Sequence, residues 1–248
     1  MSKPKIGIFD FACCEGCQLQ IVNMEEGLLD LLTLVEPVEW REAMSNKSDH
    51  YDIAIIEGSI SRDEDAARLQ QIRESADYVI ALGACATIGG VNKLQNNFAI
   101  EDVQVMVYGD AANMPHLAST PTRAIHEVVK VDYMVHGCPI DAHELTYVVR
   151  CLLAGKQPVM PDYPVCVECK MNENVCRYEH GEVCLGPVTR AGCDARCPSN
   201  GFWCFGCRGY VDDPNLEAAA AVMGQYGKTL DDLKSKMALF GSAQEKKL

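Results

Sequence analysis

Residues 5–31, KIGIFDFACCEGCQLQIVNMEEGLLDL, open with a short apolar run from Lys5 to Phe9, pass through a cysteine-rich turn and continue with Ile21, Met24, Leu28 and Leu31 at helical spacing. A period of two giving way to a period near 3.6 reads as strand, loop, helix. The same alternation runs outward along the chain. Val38–Trp40 is a short second strand and Asp52–Glu57 a third, separated by a link of about ten residues, near the minimum for a parallel crossover. Gly58 and Ser59 end that strand, and Ser61 with Glu64 predicts a capping box for a helix carrying Leu69, Ile72 and Ala76. Tyr78–Leu82 is the fourth strand and Val131–Val135 the next. It is followed by Gly137-Cys138-Pro139 and a helix from Asp141 to about Leu153 with Leu145, Val148, Val149 and Leu152 on one side. Residues 91–125 interrupt the pattern, with Val103–Tyr108 as a strand and the rest irregular, the kind of segment that serves interfaces. Strands alternating with helices predict an α/β fold, a flavodoxin-like parallel sheet over residues 1–155. Gly155–Pro164, with three prolines, reads as a linker.

The chain has 248 residues, 48% of them hydrophobic, enough for one ordinary domain and a small second one. A net charge of −13 argues against nucleic acid, whose phosphates need a basic surface. No stretch approaches the ~18 consecutive apolar residues of a membrane span. The N-terminus, MSKPKIGIFDF, enters a strand-like run at once, without an apolar leader or twin arginine, and predicts a cytoplasmic protein. In that reducing compartment the 14 cysteines read as metal ligands before disulfides.

Eight of those cysteines fall between Cys166 and Cys207: Cys166-x2-Cys169-x6-Cys176-x7-Cys184-x8-Cys193-x3-Cys197-x6-Cys204-x2-Cys207, with Pro198 after Cys197. The density leaves little room for an apolar core, so metal is expected to hold the stretch together. Two sets of four thiolates make two four-cysteine sites. The Cys-x2-Cys pairs and the Cys-Pro end are similar to bacterial ferredoxins, in which short loops wrap an iron-sulfur cubane. Structural zinc also uses Cys-x2-Cys pairs and a secreted module would use disulfides, whereas buried free thiols do not account for the density. Lys170, Arg177, Arg190, Arg196 and Arg208 balance Glu168, Glu173, Glu179, Glu182 and Asp194, so the surroundings are locally neutral and the excess acid lies elsewhere.

Cys13, Cys14 and Cys17 follow the first strand, Cys85 follows the fourth within GACA, and Cys138 follows the fifth within GCP. Carboxyl ends of parallel strands share one edge, where ligands of such sheets bind. Three distant segments therefore bring Cys14, Cys17, Cys85 and Cys138 to one point, with Gly16, Gly83 and Gly137 letting backbone approach. The alternative for Cys85 and Cys138 is that of small buried hydrophobes; Cys151, on an apolar helix face, is read that way.

Cys14-x2-Cys17, GACA, GCP and the eight-cysteine tail with CLGPVTRAGC and CFGCRG resemble, to about Tyr210, the small subunit of nickel-iron hydrogenases. The likeness is closest to the cytoplasmic group that reduces soluble cofactors, and is shared in part with the 20 kDa-type subunit of respiratory complex I. It implies an electron-transfer subunit with no catalytic site of its own. Three 4Fe-4S clusters would link the nickel-iron site of a large subunit to a soluble acceptor or a flavin- or iron-sulfur-containing subunit. By position, Cys14, Cys17, Cys85 and Cys138 would hold the proximal cluster, Cys193, Cys197, Cys204 and Cys207 the medial one, and Cys166, Cys169, Cys176 and Cys184 the distal one. Exported relatives have histidine in place of Cys166, and many have proline in place of Cys197 with a three-iron medial cluster; a fourth thiolate implies a full cubane at lower potential. Cys13 departs from the hydrogenase pattern and competes with Cys14, since the complex I subunit has adjacent cysteine ligands. That subunit, or a free-standing relay, is the alternative reading, and it lacks the eight-cysteine region.

The resemblance implies a ferredoxin-like two-cluster domain over 165–210, and the residues beyond it read as a helical tail over 211–248. There an alanine-rich helix precedes one capped by Thr229 and Asp232, whose face of Leu230, Leu233, Met237 and Phe240 packs on the cysteine region or on a partner. Glu15, between two proximal cysteines, is read as a solvated loop carboxylate, and His136 as a packing residue.

Overall fold

The computed structural model describes residues 3–241, so the first two residues of the expected sheet domain and residues 242–248 of the expected tail lie outside it. Five strands, β1 (Lys5–Asp10), β2 (Glu36–Trp40), β3 (Tyr51–Glu57), β4 (Ala76–Leu82) and β5 (Tyr133–Val135), form one sheet in the order β2-β1-β3-β4-β5. Every pairing is parallel, and the order is that of flavodoxin-like doubly wound sheets. The central strands are buried on both faces, as parallel strands covered by helices must be. On one face Ile6, Ile8, Ile53, Ile55, Ile80 and Leu82 share a core with the helices α1 (Gly16–Val22), α2 (Glu26–Leu34) and α6 (Ala142–Leu153). On the other, Phe9, Ala54, Ile56, Val79 and Ala81 pack with Leu69 and Ile72 of α3 (Asp63–Glu74).

Four local expectations are corrected. The helix anticipated through Ile21–Leu31 is broken between α1 and α2, where Glu25 takes φ 53°. The Ser61–Glu64 capping box does not form: α3 starts at Asp63 with Arg62 as a cap that makes no side-chain bond, and Asp63, Glu64 and Asp65 instead face the positive end of the helix dipole. Ala76 belongs to β4, not to that helix. Val103–Tyr108 is helical, within α5 (Ile100–Tyr108), where Glu101 and Asp102 suit a helix N-terminus and Gly109 (φ 55°) stops it. None of the side chains of α5 is buried, and Val105, Met106 and Val107 face outward.

The short helix α4 (Gly83–Ile88) follows β4 directly. Beyond the proline-rich connection come α7 (Val165–Met171), α8 (Arg196–Ser199), α9 (Leu216–Gln225) and α10 (Leu230–Met237). The cysteine-rich stretch does own an apolar core, against the expectation that cysteine density would exclude one. Val165, Tyr178, Leu185, Val188 and Tyr210 pack with Ala219 and Met223 of α9 and Leu233 and Met237 of α10. The Thr229–Asp232 capping box of α10 forms as expected. Phe240 crosses to Ala84 and Ile88 of α4, with Phe205 and Cys207 against the same cluster.

Candidate metal centres

The loop after β1 ends at Glu15, which takes a left-handed conformation (φ 61°) and turns the chain into α1, so that Cys14 stays outside the helix and Cys17 enters its first turn. The N-terminus of α1 is then closed from a neighbouring strand. The Glu57 carboxylate, at the end of β3, accepts the amides of Cys17 at 3.0 Å and Gln18 at 3.2 Å. A buried carboxylate is well placed there because the first helical amides lack intrahelical acceptors and carry the positive end of the dipole.

Gly83 (φ 82°) begins α4 against this turn. A Cβ on it would overlap the Cys17 sulfur and lie 3.5 Å from the Gly137 carbonyl, and the Ala84 amide donates to that same carbonyl at 2.7 Å. The ends of β1, β4 and β5 are thereby drawn together. Cys17 is buried, Cys13 and Cys85 are partly buried, and Cys14 and Cys138 are exposed. Burial pushes Cys85 up to about 12, and negative charge on Cys138 and Cys14 adds to it. Burial likewise raises Cys138, followed by Cys14 and Glu57, and Cys17, followed by Glu57 and with Cys138 contributing. Cys14, Cys17, Cys85 and Cys138 thus lie within one electrostatic neighbourhood. Cys13, raised by burial to about 12, also feels Glu57 and Cys85, and so stands beside the group.

A second group surrounds a cavity of about 390 Å³ lined by Cys166, Cys169, Cys176 and Cys184. Cys166 and Cys169 project from α7, and burial pushes Cys166 up to about 12, with Cys184, Cys169 and Cys176 all contributing. The third group is Cys193, Cys197, Cys204 and Cys207. Cys207 is raised to about 12 by burial, with Cys193, Cys138 and Cys197 adding to it, and burial raises Cys193 against the pull of Arg208. The groups touch. The Cys204 amide donates to the Cys184 sulfur at 3.2 Å, and Cys138 is near enough to Cys207 for charge on one to act on the other. Cys151 stands apart, partly buried in α6.

Thiols that oppose one another's ionisation become thiolate ligands when a cationic centre compensates them. A tetrahedral zinc site, with Zn–S near 2.3 Å, holds its sulfurs about 3.8 Å apart. Among the described residues no three of these sulfurs lie within 4.8 Å of one another; His50, Asp52 and Asp77, exposed or partly buried at the opposite end of the sheet, are the group that does. All-cysteine donors at wider spacing, one set around an open cavity, fit a multi-iron cluster better than a single ion.

Three partners of these loops escaped the sequence reading. Glu57 had a signal, being a carboxylate that ends an otherwise apolar strand. Glu168 accepts the amides of Gly192 at 2.7 Å and Ala195 at 3.0 Å, tying the Cys166–Cys169 helix to the Cys193 loop. Arg208 pairs with Glu144 of α6, 64 residues away, a contact no local pattern announces. Glu15 is partly buried and keeps about a third of its side chain in solvent, where the exposed Arg41 lies 3.2 Å away. His136 is partly buried, its carbonyl accepts from Arg208, and its Nδ1 has no partner.

Residues 14–152, the span running from the first cysteine pair through Cys138 to α6, match the family described as NADH ubiquinone oxidoreductase, 20 Kd subunit. The chain belongs to this family. It is similar to the sulfhydrogenase 2 subunit delta of Pyrococcus furiosus, 38% identical over 88% of this chain and 92% of that one. A vhu-type F420-non-reducing hydrogenase subunit of Methanocaldococcus jannaschii is 32% identical over 95% of this chain and 92% of its own length. Among solved structures, a chain of the NAD+-reducing [NiFe]-hydrogenase in the H2-reduced state superposes with a TM-score of 0.59 at 28% identity, over 64% of this chain and 96% of that one. The family relationship agrees with the parallel sheet, and no helix among the described residues is long and apolar enough to cross a membrane.

Proposed function

We propose that this chain, a hydrogenase subunit carrying iron-sulfur clusters, is the electron-transfer small subunit of a cytoplasmic nickel-iron hydrogenase. It would connect the nickel-iron site of a large subunit with a soluble acceptor or a flavin- or iron-sulfur-containing subunit. In this reading Cys14, Cys17, Cys85 and Cys138 hold the proximal 4Fe-4S cluster, Cys193, Cys197, Cys204 and Cys207 the medial one, and Cys166, Cys169, Cys176 and Cys184 the distal one. The clusters supply one-electron redox chemistry.

The observation that carries the reading is the chain of contacts between the three cysteine groups: Arg208, next to Cys207, donates to the carbonyl of His136, two residues before Cys138, and the Cys204 amide donates to the Cys184 sulfur. Ligand groups whose loops are joined in this way form a series, from the exposed Cys14 and Cys138 at the sheet edge to the cavity at Cys166. The protein's own share is to hold the sulfurs, donate amides to them and exclude water. The sheet edge offers the exposed end to a large subunit. The expected division into a sheet domain, a two-cluster domain and a helical tail belongs to the same proposal.

The test is the native complex purified without oxygen. Iron near twelve atoms per chain, from three four-iron clusters, a co-purifying nickel subunit and hydrogen-dependent dye reduction would support the reading. Iron without nickel or hydrogen activity would favour a relay of the complex I type, and zinc in place of iron would overturn it.

A further inference from the structure

Arg208 follows the last cysteine of the third group and is the largest fully buried side chain among the described residues, 1% exposed. Its Nε donates to the Ala191 carbonyl at 2.8 Å and its Nη1 to the His136 carbonyl at 2.6 Å. Nη1 and Nη2 donate to the two carboxylate oxygens of Glu144 at 2.8 and 2.7 Å, a bidentate pair. The seat is shaped for it: Gly192 has φ 108°, and any Cβ there would overlap the guanidinium.

The acceptors come from both sides of a seam. His136 precedes the Gly137-Cys138-Pro139 loop, Glu144 lies on α6, and Ala191 precedes Cys193. The cation is therefore clamped between the loop that leads into Cys138 and the loops of Cys193 and Cys207. The guanidinium charge acts on Cys193 and Cys207, whereas the other charges acting on Glu144 are Asp141 and Glu168. The cationic end of the pair thus addresses the sulfurs.

We infer that Arg208, oriented by Glu144, is a positioning residue for electron transfer: a fixed buried cation that raises the reduction potential of the iron-sulfur group held by Cys193, Cys197, Cys204 and Cys207. The inference rests on that ligand assignment. A group that accepts one electron gains one negative charge, and a neighbouring cation with little water to screen it stabilises that state over the oxidised one. Arginine suits the role because it does not lose its proton in proteins. A mere latch between the two halves would use the same bonds, since losing one partner of a buried ion pair is strongly destabilising in itself. The two roles separate by sign.

The experiment is a potentiometric EPR titration of the anaerobically purified complex, wild type beside Arg208→Lys, Arg208→Met and Glu144→Gln, with iron counted in each. Arg208→Met is expected to lower the potential of one cluster, Glu144→Gln to raise the potential of the same cluster, and Arg208→Lys to stay near wild type. Opposite shifts at unchanged iron content support the inference even if the shifts differ in size. Unmoved potentials, or shifts of the same sign in both charge variants, overturn it while leaving the ligand assignment intact. Should Arg208→Met lose the cluster, Glu144→Gln and Arg208→Lys decide the matter. A wild-type iron content fitting only two clusters overturns the assignment and the inference together.

Discussion

The Glu168 carboxylate accepts the Gly192 amide at 2.7 Å, so a side chain between Cys166 and Cys169 fixes the backbone that leads into Cys193. Its second oxygen accepts the Ala195 amide at 3.0 Å, beside Asp194 and Ala195, which both take positive φ. That strained turn is held by the carboxylate. Glu168→Ala removes two charge-assisted hydrogen bonds of about 1.5–3 kcal/mol each. It is expected to lower unfolding stability by about 3 kcal/mol and to reduce iron content, with Glu168→Gln losing less. Denaturant unfolding and iron analysis on the same preparations check this; an Ala variant as stable as wild type would refute it.

Gly83 admits the Cys17 sulfur where no Cβ fits, on a backbone at φ 82°. The turn cannot move aside easily, because the Ala84 amide is bonded to Gly137. Gly83→Ala is expected to destabilise the chain by more than 1 kcal/mol, beyond the usual strain of a left-handed non-glycine residue, and to deplete the iron of the first group selectively. The readout is iron per chain together with the number of reducible clusters seen by EPR.

Cys197 occupies the second position of α8, where proline satisfies helix geometry and lacks only an amide that has no intrahelical acceptor. Cys197→Pro is therefore expected to fold, to leave one four-cysteine set with three sulfurs, and to convert a four-iron cluster into a three-iron cluster of higher potential. Low-temperature EPR of the oxidised variant should show the new three-iron signal. An unchanged spectrum would remove Cys197 from the ligand set.

Asp232 sits below the ordinary carboxylate range because the Thr229 amide donates to it, with the Thr229 hydroxyl adding to the effect. A group whose pKa is lower folded than unfolded binds fewer protons when folded, so its contribution is present above the unfolded value, near 4. It is lost as pH falls through the folded one. Amide exchange in α10 should accelerate relative to α6 below that range, and Asp232→Asn should show the faster exchange already at neutral pH. Equal protection of α10 in both proteins at both pH values would contradict the capping role.

The α/β plan was legible because parallel strands buried on both faces stand out as apolar runs, and because strand ends carry the cysteines. Cys17, Cys85 and Cys138 needed no long-range information beyond the rule that parallel strands share an edge. Glu57, Glu168 and Arg208 were hidden for the opposite reason: each acts on backbone or charge brought near only by folding. The kink at Glu25 and the helix at Ile100–Tyr108 were missed because short apolar runs satisfy both periodicities. The core under the cysteine-rich stretch was missed because Met223, Leu233 and Met237 reach it from the following helices.

That arrangement also imposes a timetable on biosynthesis. Phe240 closes over Ala84, Ile88 and Cys207 only after every candidate ligand has left the ribosome. Until Phe240 packs there, α4 and Cys207 lack this apolar cover, so the segment from α10 to Phe240 is a late-arriving seal over them.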